Sequence, residues 1–100
     1  MYDMKNLTKF KQLEQLAPQA FHAFIDFDKA ALADGAIPAK YKELMAVAVA
    51  LTTQCPYCIE IHAEKARKAG ATDQELAETT MVAAALRAGG AVVHGTHTLH

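Results

Sequence analysis

One hundred residues make room for one domain with a small core. The net charge of −1, with no basic stripe and no interleaving of basic and aromatic residues, argues against a nucleic-acid partner. The longest strictly apolar run, Leu44–Leu51, falls short of the ~20 residues of a membrane span, and Met1–Lys11 lacks the apolar core and cleavage site of a signal peptide, so the expected setting is the cytoplasm with no membrane partner.

Every segment reads as helix, because no stretch alternates with period two or clusters β-branched residues. The expected fold is an all-α bundle of five to six helices in a single domain over residues 1–100. Leu7, Phe10, Leu13 and Leu16 recur at helical spacing and predict a first helix. Pro18 suits the first position of a second helix, which carries Phe21, Phe24, Ile25, Asp28 and Leu32. Phe21, Phe24 and Phe27 are expected in the core. This helix should end near Asp34, with Gly35 free to take a left-handed cap. Pro38 opens a third helix through about Thr53, almost wholly apolar after Lys42 and expected to be the buried central one. A fourth helix starts at Cys55-Pro56 and stops at Gly70, with Glu64 and Lys68 correctly ordered as an i,i+4 pair. Thr72-Asp73-Gln74-Glu75 spells a capping box for a fifth helix. That helix should run to about Ala88, where Gly89-Gly90 breaks or kinks the chain before a short last helix or polar tail with His94, His97 and His100.

The apolar share, 52%, exceeds the roughly 45–50% typical of soluble domains, and a small chain has little interior to hide it in. A homo-oligomer is therefore expected.

The chemistry concentrates in Cys55-Pro56-Tyr57-Cys58-Ile59-Glu60-Ile61-His62. The chain holds only these two cysteines, and a pair three apart is a poor structural staple because its closed loop is so short. At the start of a helix both sulfurs meet unpaired N–H groups and the positive end of the dipole, which favour the reactive thiolate. His62 follows Cys58 by one turn and shares its face, so its imidazole can exchange a proton with that thiol.

Glu43 stands about ten residues before the end of the third helix, or ~15 Å, and His62 stands ~10 Å into the fourth. A short antiparallel hairpin brings them within about one turn of the same level, where a carboxylate can orient the imidazole. The residues alone leave rivals open. The cysteines can be small buried hydrophobes, or Cys55, Cys58 and His62 can be three ligands of a zinc ion. Glu43 can be a solvated neighbour of Lys40 and Lys42. Tyr57 points away from Cys58 and reads as a docking residue or plain surface.

Glu43, eleven intervening residues, Cys55-x-x-Cys58, three more and His62 resemble the signature of the AhpD-like alkylhydroperoxidases within the carboxymuconolactone decarboxylase superfamily. Gly35-Ala36-Ile37-Pro38, Lys42-Glu43-Leu44, Gly70-Ala71-Thr72 and Arg87-Ala88-Gly89-Gly90 agree, so the likeness covers about Leu16 to Gly95. It implies an AhpD-like helical bundle assembled as a trimer or hexamer, and peroxide reduction without a cofactor. By that analogy Cys58 attacks the peroxide and becomes a sulfenic acid, Cys55 resolves it to a disulfide, and His62 and Glu43 relay the proton. The chain shows no nucleotide motif such as GxGxxG, so electrons are expected from a dithiol donor, a thioredoxin-like or lipoyl protein. The best-studied members carry a histidine where Tyr57 stands, and a phenol is a poor base at neutral pH. General thiol–disulfide exchange without strong peroxidase activity is the alternative. A decarboxylase-like reaction fits less well, because decarboxylases of this superfamily generally lack the cysteine pair.

Overall fold

The computed structural model describes residues 3–100. A 3₁₀ turn over Met4–Lys9 leads into α1 (Phe10–Leu16), α2 (Pro18–Leu32), α3 (Ala39–Thr53), α4 (Pro56–Lys68) and α5 (Asp73–Gly95), and a 3₁₀ turn over Thr96–Thr98 follows. No strand occurs among the described residues. The fold is all-α, with five α-helices among the described residues.

Proline and glycine chemistry sets most boundaries. Ala17 leaves the helical region (φ −140°, ψ 64°), as the residue before a proline tends to, and Pro18 opens α2. Phe10 and Phe21 meet edge-to-face across this bend, with ring centroids 6.0 Å apart. The end of α2 differs from expectation. It stops at Leu32, and Asp34 serves the next helix instead, its carboxylate accepting the Ala39 N–H at 2.6 Å. Pro38 is the extended residue that precedes α3 rather than its first member. Gly35 stays out of the left-handed region, which among the described glycines Gly70 alone occupies.

Gln54, with φ 56° and ψ 47°, turns the chain sharply between α3 and α4. The Cys55 N–H bonds back to the Ala50 carbonyl at 3.0 Å, and α4 begins at Pro56. At the other end of α4, Gly70 (φ 100°) lets the Ala71 N–H return to the Ala66 carbonyl at 2.9 Å.

The capping box forms as spelled. Thr72 Oγ1 accepts the Glu75 N–H at 3.1 Å, and Glu75 Oε1 accepts the Thr72 N–H at 2.9 Å. Glu75 Oε2 also pairs with Lys40 Nζ at 2.9 Å, tying the start of α5 to the start of α3. The bond to Lys40 lowers the Glu75 carboxyl below its ordinary value, and the bond to Glu75 raises Lys40. The Arg87 guanidinium donates to the Thr52 carbonyl and pins α5 to the far end of α3.

Helix α5 runs unbroken through Gly89-Gly90 to Gly95, against the expected break. Glycine weakens a helix by about 1 kcal/mol relative to alanine but keeps its N–H, so the hydrogen-bond ladder continues. His94 therefore lies on α5 and His97 in the closing turn, with ring centroids 5.9 Å apart, rather than in a separate last helix or tail.

The core is thin. Helix α3 lies between α4 and α5 and buries the stripe Glu43, Val47 and Ala50 against Ala66, Ala71 and Ala83. The rest of α3 is more open than its apolar sequence suggests: Met45 is 48% exposed and Val49 60%. Phe24 and Phe27, expected in the core, are exposed at 57% and 71%, because α2 makes few contacts with α3 and leaves its outer face free. The accessible surface is 7602 Å², where a folded monomer of this mass exposes about 5,500 Å². The radius of gyration is 16.6 Å, against about 13 Å for a compact 100-residue chain. By length and composition alone the helical stretch Asp73–Thr98 is apolar enough to cross a membrane, an 18-residue window within it reaching a mean hydropathy of 1.3, a feature that a search for strictly apolar runs overlooks.

Replacing Thr72 by alanine removes a helix cap and is expected to cost about 1 kcal/mol, lowering Tm by roughly 4–8 °C. Melting curves at equal protein concentration check this. Because its folded-state carboxyl is lowered, Glu75 stabilises the fold above its ordinary value of 4.5 and loses that effect as acid protonates it. The Tm gap between wild type and Glu75→Gln is therefore expected to close on acidification.

Candidate active site

The tight turn at Gln54 delivers Cys55 as the cap of α4, in extended conformation (φ −95°, ψ 99°), with Pro56 as the first helical residue. Cys55 Sγ accepts the Cys58 N–H at 3.3 Å, taking the place of the usual oxygen cap. Both cysteines are half-buried, and their sulfurs are bonded as a disulfide across a Cα–Cα distance of 5.3 Å.

One turn beyond Cys58, His62 faces α3. Its Nδ1–H donates to Glu43 Oε2 at 2.6 Å. Both side chains are largely buried, at 17% and 11% exposure. This bond fixes the tautomer and the ring plane, leaving Nε2 as the ring nitrogen with a free lone pair. Glu43 is the buried charged residue of the core, and the pairing compensates its desolvation. Of the two readings of Glu43 from sequence, the structure has the buried, imidazole-facing one.

A cleft of ≈ 320 Å³ opens onto Cys58 and His62. Its α3 wall is built from Ala46, Val49, Ala50 and Thr53, and α2 closes the other side with Leu32 and Asp28. Cys58 lines this cleft and Cys55 does not. The structure thus brings Glu43, Cys55, Cys58 and His62 into one locus. Asp28 belongs to it as well and was missed. The signal available was an acid inside the otherwise apolar stripe Phe21, Phe24, Ile25 and Leu32 of α2.

Tyr57 turns away from this cleft. Its hydroxyl accepts the Asp3 N–H at 3.1 Å and an Asn6 Nδ2–H at 3.2 Å, so it tethers the N-terminal turn to α4. His94, His97 and His100 lie outside the cleft lining. No group of three or more His, Cys, Asp or Glu side chains converges to hold a metal among the described residues.

Fold and site together define a class: an all-α protein with a CxxC disulfide pair at a helix start, backed by a carboxylate–imidazole bond. A model of the carboxymuconolactone decarboxylase family matches residues 18–99, and the chain belongs to that family, in the AhpD-like superfamily. Among curated relatives it is 48% identical over 77 residues to an uncharacterized protein of the cox locus of Paracoccus denitrificans, covering 77% of this chain and 69% of that one. It is 40% identical over 74 residues to an uncharacterized protein of Cupriavidus necator, covering 74% and 66%. The matched segments thus span about two thirds of those relatives' length. A carboxymuconolactone decarboxylase family protein from Legionella pneumophila superposes with a TM-score of 0.78 at 35% identity, over 82% of this chain and 73% of that one. A protein from Methanobacterium thermoautotrophicum superposes with a TM-score of 0.83 at 33% identity, over 88% and 99%.

The Glu43–His62 bond has a thermodynamic signature. His62→Leu strands a buried carboxylate and is expected to cost about 1–3 kcal/mol. The double variant Glu43→Leu/His62→Leu is expected to lose less than the two single losses added together, a positive coupling that urea denaturation of the four proteins reads directly.

Proposed function

We propose that this protein is a thiol-dependent peroxidase acting on hydrogen peroxide or an organic hydroperoxide. The observation that carries the reading is the shared cleft: Cys58 and His62 line it, and Glu43 holds the imidazole from behind. His62 Nε2 takes the Cys58 thiol proton. The thiolate attacks the distal peroxide oxygen, the O–O bond breaks, and the leaving alkoxide recovers the proton from His62 as alcohol. Cys58 is then a sulfenic acid. The Cys55 sulfur attacks Cys58 Sγ, and hydroxide departs with the Cys55 proton as water. Two thiols and one hydroperoxide give a disulfide, an alcohol and water. A dithiol donor, thioredoxin-like or lipoyl, supplies the two electrons that reopen the disulfide. The Cys58 N–H that bonds Cys55 Sγ stabilises Cys55 as the leaving thiolate in that step.

General thiol–disulfide exchange is the second reading. Tyr57 favours it, since the phenol stands where a relay histidine stands in the best-studied relatives and is engaged by the N-terminal turn instead.

The working unit in this proposal is a homo-oligomer, a trimer or hexamer. Support comes from the excess surface, the large radius and the exposed apolar side chains of α3 and α5, such as Met45, Val82 and Leu86. The apolar groove between Met45 and Val82 is the expected contact. Light scattering is expected to give a multiple of the chain mass, and Val82→Asp is expected to lower it.

Reduced protein mixed with cumene hydroperoxide is expected to consume peroxide. Cys58→Ser abolishes the loss, Cys55→Ser permits one turnover and then stalls, and His62→Gln slows it by roughly 10²–10⁴-fold. Peroxide loss that persists unchanged in Cys58→Ser refutes the proposal. Insulin reduction without peroxide loss selects the second reading.

A further inference from the structure

Asp28 projects from α2 into the cleft that holds Cys58 and His62. It is half-buried, and no hydrogen bond or ion pair engages its carboxylate among the described residues. The other acid of the site, Glu43, is committed to His62 Nδ1 behind the ring, so Asp28 is the uncompensated charge that an incoming molecule meets. No lysine or arginine lines the cleft to receive an anion. The other walls are largely apolar, from Ala31, Leu32, Ala46, Val49 and Ala50 with the uncharged Thr53, and ≈ 320 Å³ is at the lower end of ligand-site sizes.

Resting on the reading of Cys58 as the reactive sulfur, we infer that Asp28 is a specificity-determining residue, selecting small neutral apolar oxidants for the Cys58 sulfur and rejecting anionic ones. The physical basis is simple repulsion. The attacking group is a thiolate, and an anionic oxidant already approaches it uphill. A second negative charge on the rim, facing walls of low polarity, adds to that barrier. A neutral alkyl hydroperoxide meets no such barrier and gains from the apolar walls.

The test uses the Cys55→Ser variant of this chain, in which Cys58 is the single thiol. Its thiolate displaces one thiolate from a symmetric disulfide reagent and forms a mixed disulfide with it. The neutral reagent is 4,4′-dithiodipyridine, and the dianion is 5,5′-dithiobis(2-nitrobenzoate). The readout is the ratio of the two second-order rate constants. A change in thiolate fraction moves both rates together, so the ratio isolates repulsion. Asp28→Asn is expected to raise the anion-to-neutral ratio by about three- to tenfold at low salt, and the rise is expected to shrink at about 0.5 M salt. Asp28→Glu, which keeps the charge, is expected to stay near the parent ratio. An unchanged ratio in Asp28→Asn, or an equal rise in Asp28→Glu, overturns the assignment.

A parallel arm compares cumene hydroperoxide with its para-carboxylate in the protein with both cysteines. There the preference for the neutral peroxide is expected to narrow in Asp28→Asn. Failure to consume either peroxide counts against the peroxidase reading alone, because the disulfide reagents report on Asp28 without it.

Discussion

The bond between Glu43 and His62 organises this molecule. A carboxylate sits in the buried stripe of the central helix, between the positions of Val47 and the α3 start, where a lone charge is costly. The imidazole of the next helix removes that cost. In return the carboxylate orients the ring with one nitrogen turned inward. A polar pair thus does two things: it ties α3 to α4, and it holds the imidazole at the cleft that Cys58 also lines. The sulfur cap at the helix start completes the arrangement, since the same turn that starts α4 supplies the backbone N–H facing Cys55.

Around this pair the hydrophobic contribution is modest. The residues buried with Glu43 are Val47 and four alanines, and small side chains remove little apolar area each. Ties between helices supplement them: the Lys40–Glu75 pair at one end of α3 and the Arg87–Thr52 contact at the other. The larger apolar residues point outward along α3 and α5. In the assembled state proposed above they form the greater part of the hydrophobic core, and the packing of the single chain mainly sets the shape that is presented to its neighbours. Family membership is consistent with this division, because residues 18–99, which the family model matches, include both the site and the exposed faces of α3 and α5.

Much of the site is legible in the sequence because it lies on two consecutive helices joined by a minimal turn. Counting residues along α3 and α4 then suffices to put Glu43 beside His62. The capping box at Thr72 is legible for a similar reason, since it is spelled within four residues. What lies beyond local counting is not. Asp28 reaches the cleft only through the path from Ala33 to Pro38, where Asp34 caps α3 and Lys42 holds the Ala33 carbonyl. Nothing in the helical pattern of α2 fixes that angle. Phe24 and Phe27 look like core by composition, yet few contacts hold α2 to α3, so which face turns inward depends on tertiary packing. The pair Gly89-Gly90 looks like a stop signal, but its surroundings propagate the helix through it.

The hairpin also couples the length of the motif to its geometry. With Gln54 and Cys55 alone between α3 and α4, there is no slack to take up an extra residue. An insertion between Glu43 and the turn advances the helix by one residue, swinging the carboxylate about 100° around the α3 axis and out of reach of the ring. The fixed count of eleven is thus a gear ratio between two cylinders, set by helical pitch as much as by chemistry. Homologues in which α4 packs on α3 in the same way inherit that constraint whatever reaction their cysteines perform.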